Sequence, residues 1–317
     1  MISVVIACKT RRACLDACLA QLERQTYRAF DVYVVGDAPL DLEGARAHVL
    51  ASGPVPPNRK RALGAAASAA EIVAFIDDDA YPDPAWLATA VRHFGDPSVV
   101  AVGGPGITPP DDGPLERASG AVFASPFVTA SVRLRYVAEA ARNVDALAAC
   151  NMLIRRDVFL RDADATAGYW SGEEILTCLF AVRDGGRIVY DPAALVFHHR
   201  RRLFAGHLRQ AWNYGRFRGF FLRRFSRSWR NAIFAVPAAF VLAHLALPTA
   251  LARPRSRVPT LLALGSYAAL VAWSAQHEAR TARANPLLVA LGMYLTHLTY
   301  GVASIAGFMS AKIADDR

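Results

Sequence analysis

Three apolar tracts crowd the end of the chain: residues 232–252, 258–275 and 286–311, without one Lys, Arg, Asp or Glu among them. Crossing the hydrocarbon of a bilayer takes about 20 residues, with roughly 17 to 25 tolerated. Each tract is near enough to that length to span. As buried helices of a soluble domain they would need a large partner core, which the remainder of a 317-residue chain does not offer. The parts before and after Asn231 therefore call for separate readings. Pro237 and Pro248 leave one alternative for the first tract, a re-entrant pair of short helices.

The net charge of +9 rests almost wholly on arginine, since Lys9, Lys60 and Lys312 are the only lysines. A basic excess suits nucleic acid, membrane surfaces or anionic ligands. Its placement decides. Residues 200–230 are dense in arginine and directly precede the apolar tracts, which favours anionic lipid head groups and argues against a nucleic-acid partner. Phe217, Phe220, Phe221 and Phe225 can form one apolar face, with Arg216, Arg223 and Arg227 beside it, as in a helix lying in the interface. Positive-inside counting puts this stretch in the cytoplasm, although three spans would leave Arg253, Arg255 and Arg257 outside. The five cysteines, Cys8, Cys14, Cys18, Cys150 and Cys178, form no CxxC pair and read as small buried residues in a reducing compartment. The N-terminus reads as a strand and lacks the charged start and apolar stretch of a signal peptide.

The first 199 residues alternate strand and helix. Residues 4–7, 30–35, 72–76 and 99–102 read as buried strands, and 12–25, 58–70 and 84–94 as helices. Further on, 148–154 and 188–190 read as strands and 173–183 as a helix. This alternation predicts an α/β fold with a mostly parallel sheet. Residues 39–57 resist assignment. Residues 103–145, rich in Gly and Pro, read as a loop that could cover a site.

The strand at 72–76 runs straight into Asp77-Asp78-Asp79. Ligand sites of parallel sheets lie at the carboxyl ends of the strands. Three crowded carboxylates repel unless a cation neutralises them, and Mn²⁺ or Mg²⁺ takes carboxylate oxygens together with substrate phosphates. Taken alone, the triplet is equally a solvated turn or a helix cap. Asp37 follows the second strand and would share that sheet edge, able to accept from a nucleobase or ribose. Arg61 could face a diphosphate. Of His198 and His199, adjacent on a strand, at most one can face a metal, and His198 is favoured. Trp170, just before Glu173-Glu174, could stack on a ligand ring or anchor a loop.

The ordered set is more specific than its parts. Val34-Val35-Gly36-Asp37, Asn58-x-x-Arg61-x-x-Gly64 and Phe75-Ile76-Asp77-Asp78-Asp79 are followed by Cys150-Asn151-Met152, Gly172-Glu173-Glu174, Tyr190-Asp191-Pro192 and Phe197-His198-His199-Arg200. Over roughly residues 1–225 this order resembles the family-2 inverting glycosyltransferases. The tail Gln210-Ala211-Trp212-Asn213-Tyr214-Gly215-Arg216 and the apolar tracts resemble membrane-anchored bacterial exopolysaccharide transferases of the succinoglycan type.

The resemblance implies a glycosyltransferase A-type fold over residues 1–199, a basic interfacial segment over 200–230 and a membrane domain of about three helices over 231–317. It implies Asp37, Arg61, Asp77, Asp78 and His198 on the nucleotide-sugar donor and Asp77, Asp79 and His198 at the metal. Glu174, with Glu173 beside it, would be the catalytic base, and Asn151 and Trp170 would lie by the acceptor. The activity implied is transfer of one sugar from a nucleotide-diphosphate sugar to a lipid-linked glycan at the cytoplasmic membrane face. A polyprenyl-phosphate sugar synthase and an inactive sugar-nucleotide-binding or lipid-binding homologue are the alternatives. The family commonly has Glu-Asp where this chain has Glu173-Glu174, and the Gln-x-x-Arg-Trp of processive synthases is poorly matched here.

Overall fold

The structure is a computed structural model and describes residues 1–42, 46–166, 168–169, 172–225 and 235–310. Trp170, Arg227 and the side chain of Phe225 lie outside the described residues. The chain forms two compact units, one of Met1–Pro109 and Leu134–His199, the other of Pro110–Arg133 and Arg200–Arg317.

The first unit is built on β1 (Ile2–Ala7), β2 (Phe30–Gly36), β3 (His48–Ala51), β4 (Ile72–Asp77), β5 (Ala80–Pro82), β6 (Val99–Gly103), β7 (Gly106–Ile107), β8 (Arg142–Asn143), β9 (Met152–Arg155), β10 (Arg187–Tyr190) and β11 (Val196–His198). Eight strands make one sheet, in the order β3-β2-β1-β4-β9-β6-β10-β8, and β5-β11-β7 make a second. Four of the seven pairings in the large sheet are parallel, so the mostly parallel α/β reading holds. The antiparallel insertion of β9 between β4 and β6 was not legible as such, because a buried apolar run carries no direction. It is also shorter than the run expected at 148–154, which opens with a turn of 3₁₀-helix at Ala149–Asn151.

Side chains alternate across the sheet. Val4 and Ile6 fall in one apolar cluster with Leu15, Cys18 and Trp86, and Val5 falls in another with Phe75, Ile154 and Cys178. The first cluster is closed by α1 (Ala13–Leu22) and α3 (Trp86–Val91). The second is closed by α2 (Pro57–Ala67), by α6 (Arg156–Arg161) with α7 (Ala163–Thr166) after it, and by α8 (Glu173–Val182). Register sets the site. Ala7 pairs with Val35 on one side and Asp77 on the other, so the carboxyl ends of β1, β2 and β4 finish level.

The second unit corrects the expectation of a loop at 103–145. Residues 114–124 form α4 (Pro114–Ala124), with α5 (Pro126–Thr129) after it. Ala118, Ala121 and Val122 of α4 are buried against Val271, Ala275 and Met293. Small residues carry this face, so its periodicity is weak in sequence although its packing is close. The stretch 110–133, assigned above to the catalytic domain, thus belongs with the C-terminal helices. Those are α9 (Ala205–Phe225), α10 (Val236–Ala252), α11 (Pro254–Ala282) and α12 (Pro286–Met309).

Among the described residues two helices, α11 and α12, are long and apolar enough to cross a membrane. At 17 residues, α10 reaches about 26 Å, short of a core about 30 Å thick. The interfacial reading of α9 also needs correction. Phe217, Phe220 and Phe221 are buried in protein, and so unavailable to lipid. The helix packs closely along α12, and a Cβ on Gly307 would come within 1.9 Å of the Arg216 carbonyl oxygen.

Candidate active site

The start of α2 carries three buried polar side chains, Asn58, Lys60 and Arg61, and the last two reach three carboxylates. Asn58 Nδ2 donates to Thr166 Oγ1 at 2.6 Å. Lys60 donates to the Asp37 carboxylate and to the Cys8 carbonyl. Arg61 donates from Nη1 to Glu173 Oε1 and from Nη2 to Asp77 Oδ1, both at 2.9 Å. Pro57 suits the helix start because it has no N–H to leave unpaired there.

Asp77 ends β4, and Asp79 lies in the turn to β5. Pairing of β11 with β5 sets His198 opposite Ala80, which brings its Nε2 to 3.1 Å from Asp79 Oδ1. Asp77, Asp79 and His198 each offer one ligand atom, and these atoms all lie within 4.8 Å of one another. Two carboxylate oxygens and one imidazole nitrogen are a donor set that fits Mn²⁺ or Mg²⁺. Burial works against a charged His198, but the neighbouring Cys150 and Asp79 outweigh it and push the imidazole up to about 10. His199 turns to the Tyr81 ring, 5.7 Å between centroids.

The expected donor residues divide. Asp37 and Asp77 stand at the level ends of β2 and β4. Asp78 points elsewhere. It is buried against Arg12, and burial raises its carboxyl above the ordinary range despite that partner. Arg61 does not face open space as a diphosphate ligand would require. It is 5% exposed, both its Nη atoms are taken by carboxylates, and its Nε is buried without a partner.

The acidic pair opens α8. Glu173 is buried on Arg61, and burial and the neighbouring Glu174 charge push its carboxyl upward against the pull of that guanidinium. Glu174 turns the other way, to Arg135 Nη1 at 2.8 Å, and Arg135 also donates to the Leu147 carbonyl. Asn151, expected at the acceptor, is fully buried. It accepts from Trp86 Nε1 at 2.8 Å and donates to the carbonyls of Pro105 and Ala194. Both N–H groups of this amide are spent on loop carbonyls, and its full burial keeps it from an acceptor sugar.

Lys60, Arg12 and Arg135 were missed in sequence. Lys60 had a signal, as one of three lysines in an arginine-rich chain. Arg12 and Arg135 had none, because each meets its carboxylate from a distant segment. All five cysteines are free thiols, four of them buried and Cys14 partly exposed.

Residues 3–161, half of the chain, match the family described as Glycosyl transferase family 2. The pre-mycofactocin glycosyltransferase of Mycobacterium tuberculosis is 32% identical over 161 residues, covering 46% of this chain and 31% of the relative. The chain thus spans about a third of that relative's length. Among solved structures, the mannosyltransferase PcManGT of Pyrobaculum calidifontis, in complex with GDP-Man and Mn²⁺, superposes with a TM-score of 0.63. That likeness is at 17% identity and covers 98% of this chain and 88% of the other, and it shows the shared fold.

Proposed function

The chain belongs to glycosyl transferase family 2, and from that premise we propose that it moves one sugar, with inversion, from a nucleotide-diphosphate sugar to a hydroxyl of a lipid-linked glycan. The observation that carries the reading is the convergence of Asp77, Asp79 and His198 beside the acidic pair that Arg61 ties to Asp77. A nucleotide sugar with a divalent metal is what the Pyrobaculum enzyme holds, and the donor class is carried over as part of the proposal.

Asp37, oriented by Lys60, accepts from the base or ribose of the donor. Asp77, Asp79 and His198 would hold the cation. When bound, a divalent ion supplies positive charge to the departing diphosphate. Glu174 takes the proton of the acceptor hydroxyl as that oxygen bonds to the anomeric carbon. The bond from this carbon to the diphosphate breaks on the opposite face, and its electron pair leaves with the phosphate oxygen. Configuration at the carbon inverts.

A lipid-linked acceptor and a cytoplasmic membrane site, as in exopolysaccharide assembly, are supported by α11 and α12 and by the arginines that precede them. Leu245, Leu262 and Leu287 are among the exposed large apolar residues of this unit, which suits lipid contact. The test is release of nucleoside diphosphate by the full chain in detergent, screened against several GDP- and UDP-sugars with Mn²⁺ or Mg²⁺. Metal-dependent release supports a transferase. Binding of donor without turnover under any metal supports the inactive homologue instead.

A further inference from the structure

We propose that Arg61 is a positioning residue for this reaction, tying the donor-side carboxylate Asp77 to the acidic pair that begins α8. The inference rests on the functional reading above and adds a link within it. A guanidinium presents its donors in a rigid planar fork. Here one prong takes Glu173 and the other Asp77, each at 2.9 Å.

The position of Glu173 gives this bridge its consequence. It is the first residue of α8, and Gly172 before it has a left-handed φ of 75° and caps nothing with a side chain. A helix end without a cap frays unless something else holds it. The holding contacts are Arg61 on Glu173 and Arg135 on Glu174. Neighbouring side chains on a helix diverge by about 100°. Fixing Glu173 inward on Arg61 therefore directs Glu174 to its own side of the helix, where it meets Arg135.

Burial makes the link stiff. Arg61 is 5% exposed and Glu173 6%. Removing one member of such a pair leaves a buried charge without compensation, so the two cannot separate cheaply. Asp77, the third member, is also one of the three candidate metal ligands. Arg61 thus holds the donor side and the acceptor side of the site in one rigid arrangement, without touching either substrate.

Arg61→Lys keeps the charge and loses the fork, so it can serve one carboxylate but not both. The full chain is assayed in detergent with Mn²⁺ for hydrolysis of a GDP- or UDP-sugar, water serving as acceptor. Arg61→Lys is expected to lower kcat at least about tenfold, with donor KM within about threefold. Glu173→Gln is expected to change both constants in the same way. The double variant should lose no more than the larger single loss, because both changes remove one contact. If Arg61→Lys fails to fold, Glu173→Gln carries the same test alone.

A kcat within about twofold of wild type in the variants overturns the proposal. So does a rise in donor KM at unchanged kcat, which would make Arg61 a donor ligand, or losses that multiply in the double variant. A wild-type protein that releases no nucleoside diphosphate from any donor overturns the functional reading itself, a result separable from these.

Discussion

His198 Nε2 lies 3.1 Å from Asp79 Oδ1, although the two residues are 119 positions apart in the chain. Pairing of β11 with β5 produces the contact and leaves His199, one residue on, turned to Tyr81. His198 is the member of the double histidine that groups with Asp77 and Asp79.

That geometry makes a prediction about metal. Partners outside the ligand shell alone are worth about 10–100-fold in metal affinity. Removing the imidazole in His198→Gln is therefore expected to weaken Mn²⁺ binding at least about tenfold, read by electron paramagnetic titration. Asp79→Ala should abolish the metal dependence of donor binding, and EDTA should do the same to the wild type. Unchanged Mn²⁺ affinity in His198→Gln would remove it from the ligand set.

The acidic pair separates binding from chemistry. Glu174→Gln keeps size and hydrogen bonding and removes the basic carboxylate. A general base contributes about 10² to 10⁴ in rate, so turnover should fall by that order while donor affinity, measured by calorimetry, holds. Glu173→Gln should lose less, since Glu173 is buried on Arg61 and acts through position. The reverse ranking would move the base by one residue.

Much of the sheet-bearing unit was legible because its signals are local. A buried β-branched run ending in Asp77-Asp78-Asp79 announces both the strand and the sheet edge where it stops. The place of Asp37 on that edge was legible for the same reason. What was not legible depends on contacts between distant segments. Arg61 read as a diphosphate ligand because a sequence shows its charge but not the two carboxylates that consume it. Asn151 read as an acceptor contact for a similar reason, its burial between Trp86, Pro105 and Ala194 being a property of the fold. Phe217, Phe220 and Phe221 lie on the expected face of α9, but the sequence could not say whether lipid or protein covers it. Glycines on α9 and α12 settle that, through the close approach they allow.

A pH dependence follows from His207 on α9. It is fully buried, accepting from Ser119 and donating to Thr296 at 2.8 Å each, with the Phe123 ring stacked 4.3 Å away. The Thr296 hydroxyl gives its proton to the Gly292 carbonyl, which makes Nε2 the donor of the ring. Burial lowers the imidazole from the ordinary 6.5 to about 4. The unfolded chain therefore binds the proton between these values and the folded chain does not. Stability from this site is full above pH 6.5 and is lost as pH falls toward 4, by about 3 kcal/mol at most. Apparent Tm in detergent should drop from pH 7 to pH 5, and His207→Gln should flatten that drop. An equal drop in the variant would place the acid sensitivity elsewhere.

Gly219 tests how α9 is held. In an open helix, Gly→Ala stabilises by roughly 0.5–1 kcal/mol through backbone entropy. At Gly219 the new Cβ would lie 2.0 Å from the Ser304 carbonyl oxygen and 2.8 Å from the Phe308 nitrogen. Both are backbone atoms of α12 and cannot rotate away, so the helices must part. Overpacking of this kind costs about 1–3 kcal/mol, occasionally more, which exceeds the propensity gain. Gly219→Ala is therefore expected to lower the apparent Tm in detergent. Gly265→Ala on α11 is the matched control, because nothing lies within 4 Å of its added Cβ. It should leave Tm unchanged or raise it. If Gly219→Ala raises Tm as much as Gly265→Ala does, the two helices do not meet at this glycine and the buried reading of α9 fails.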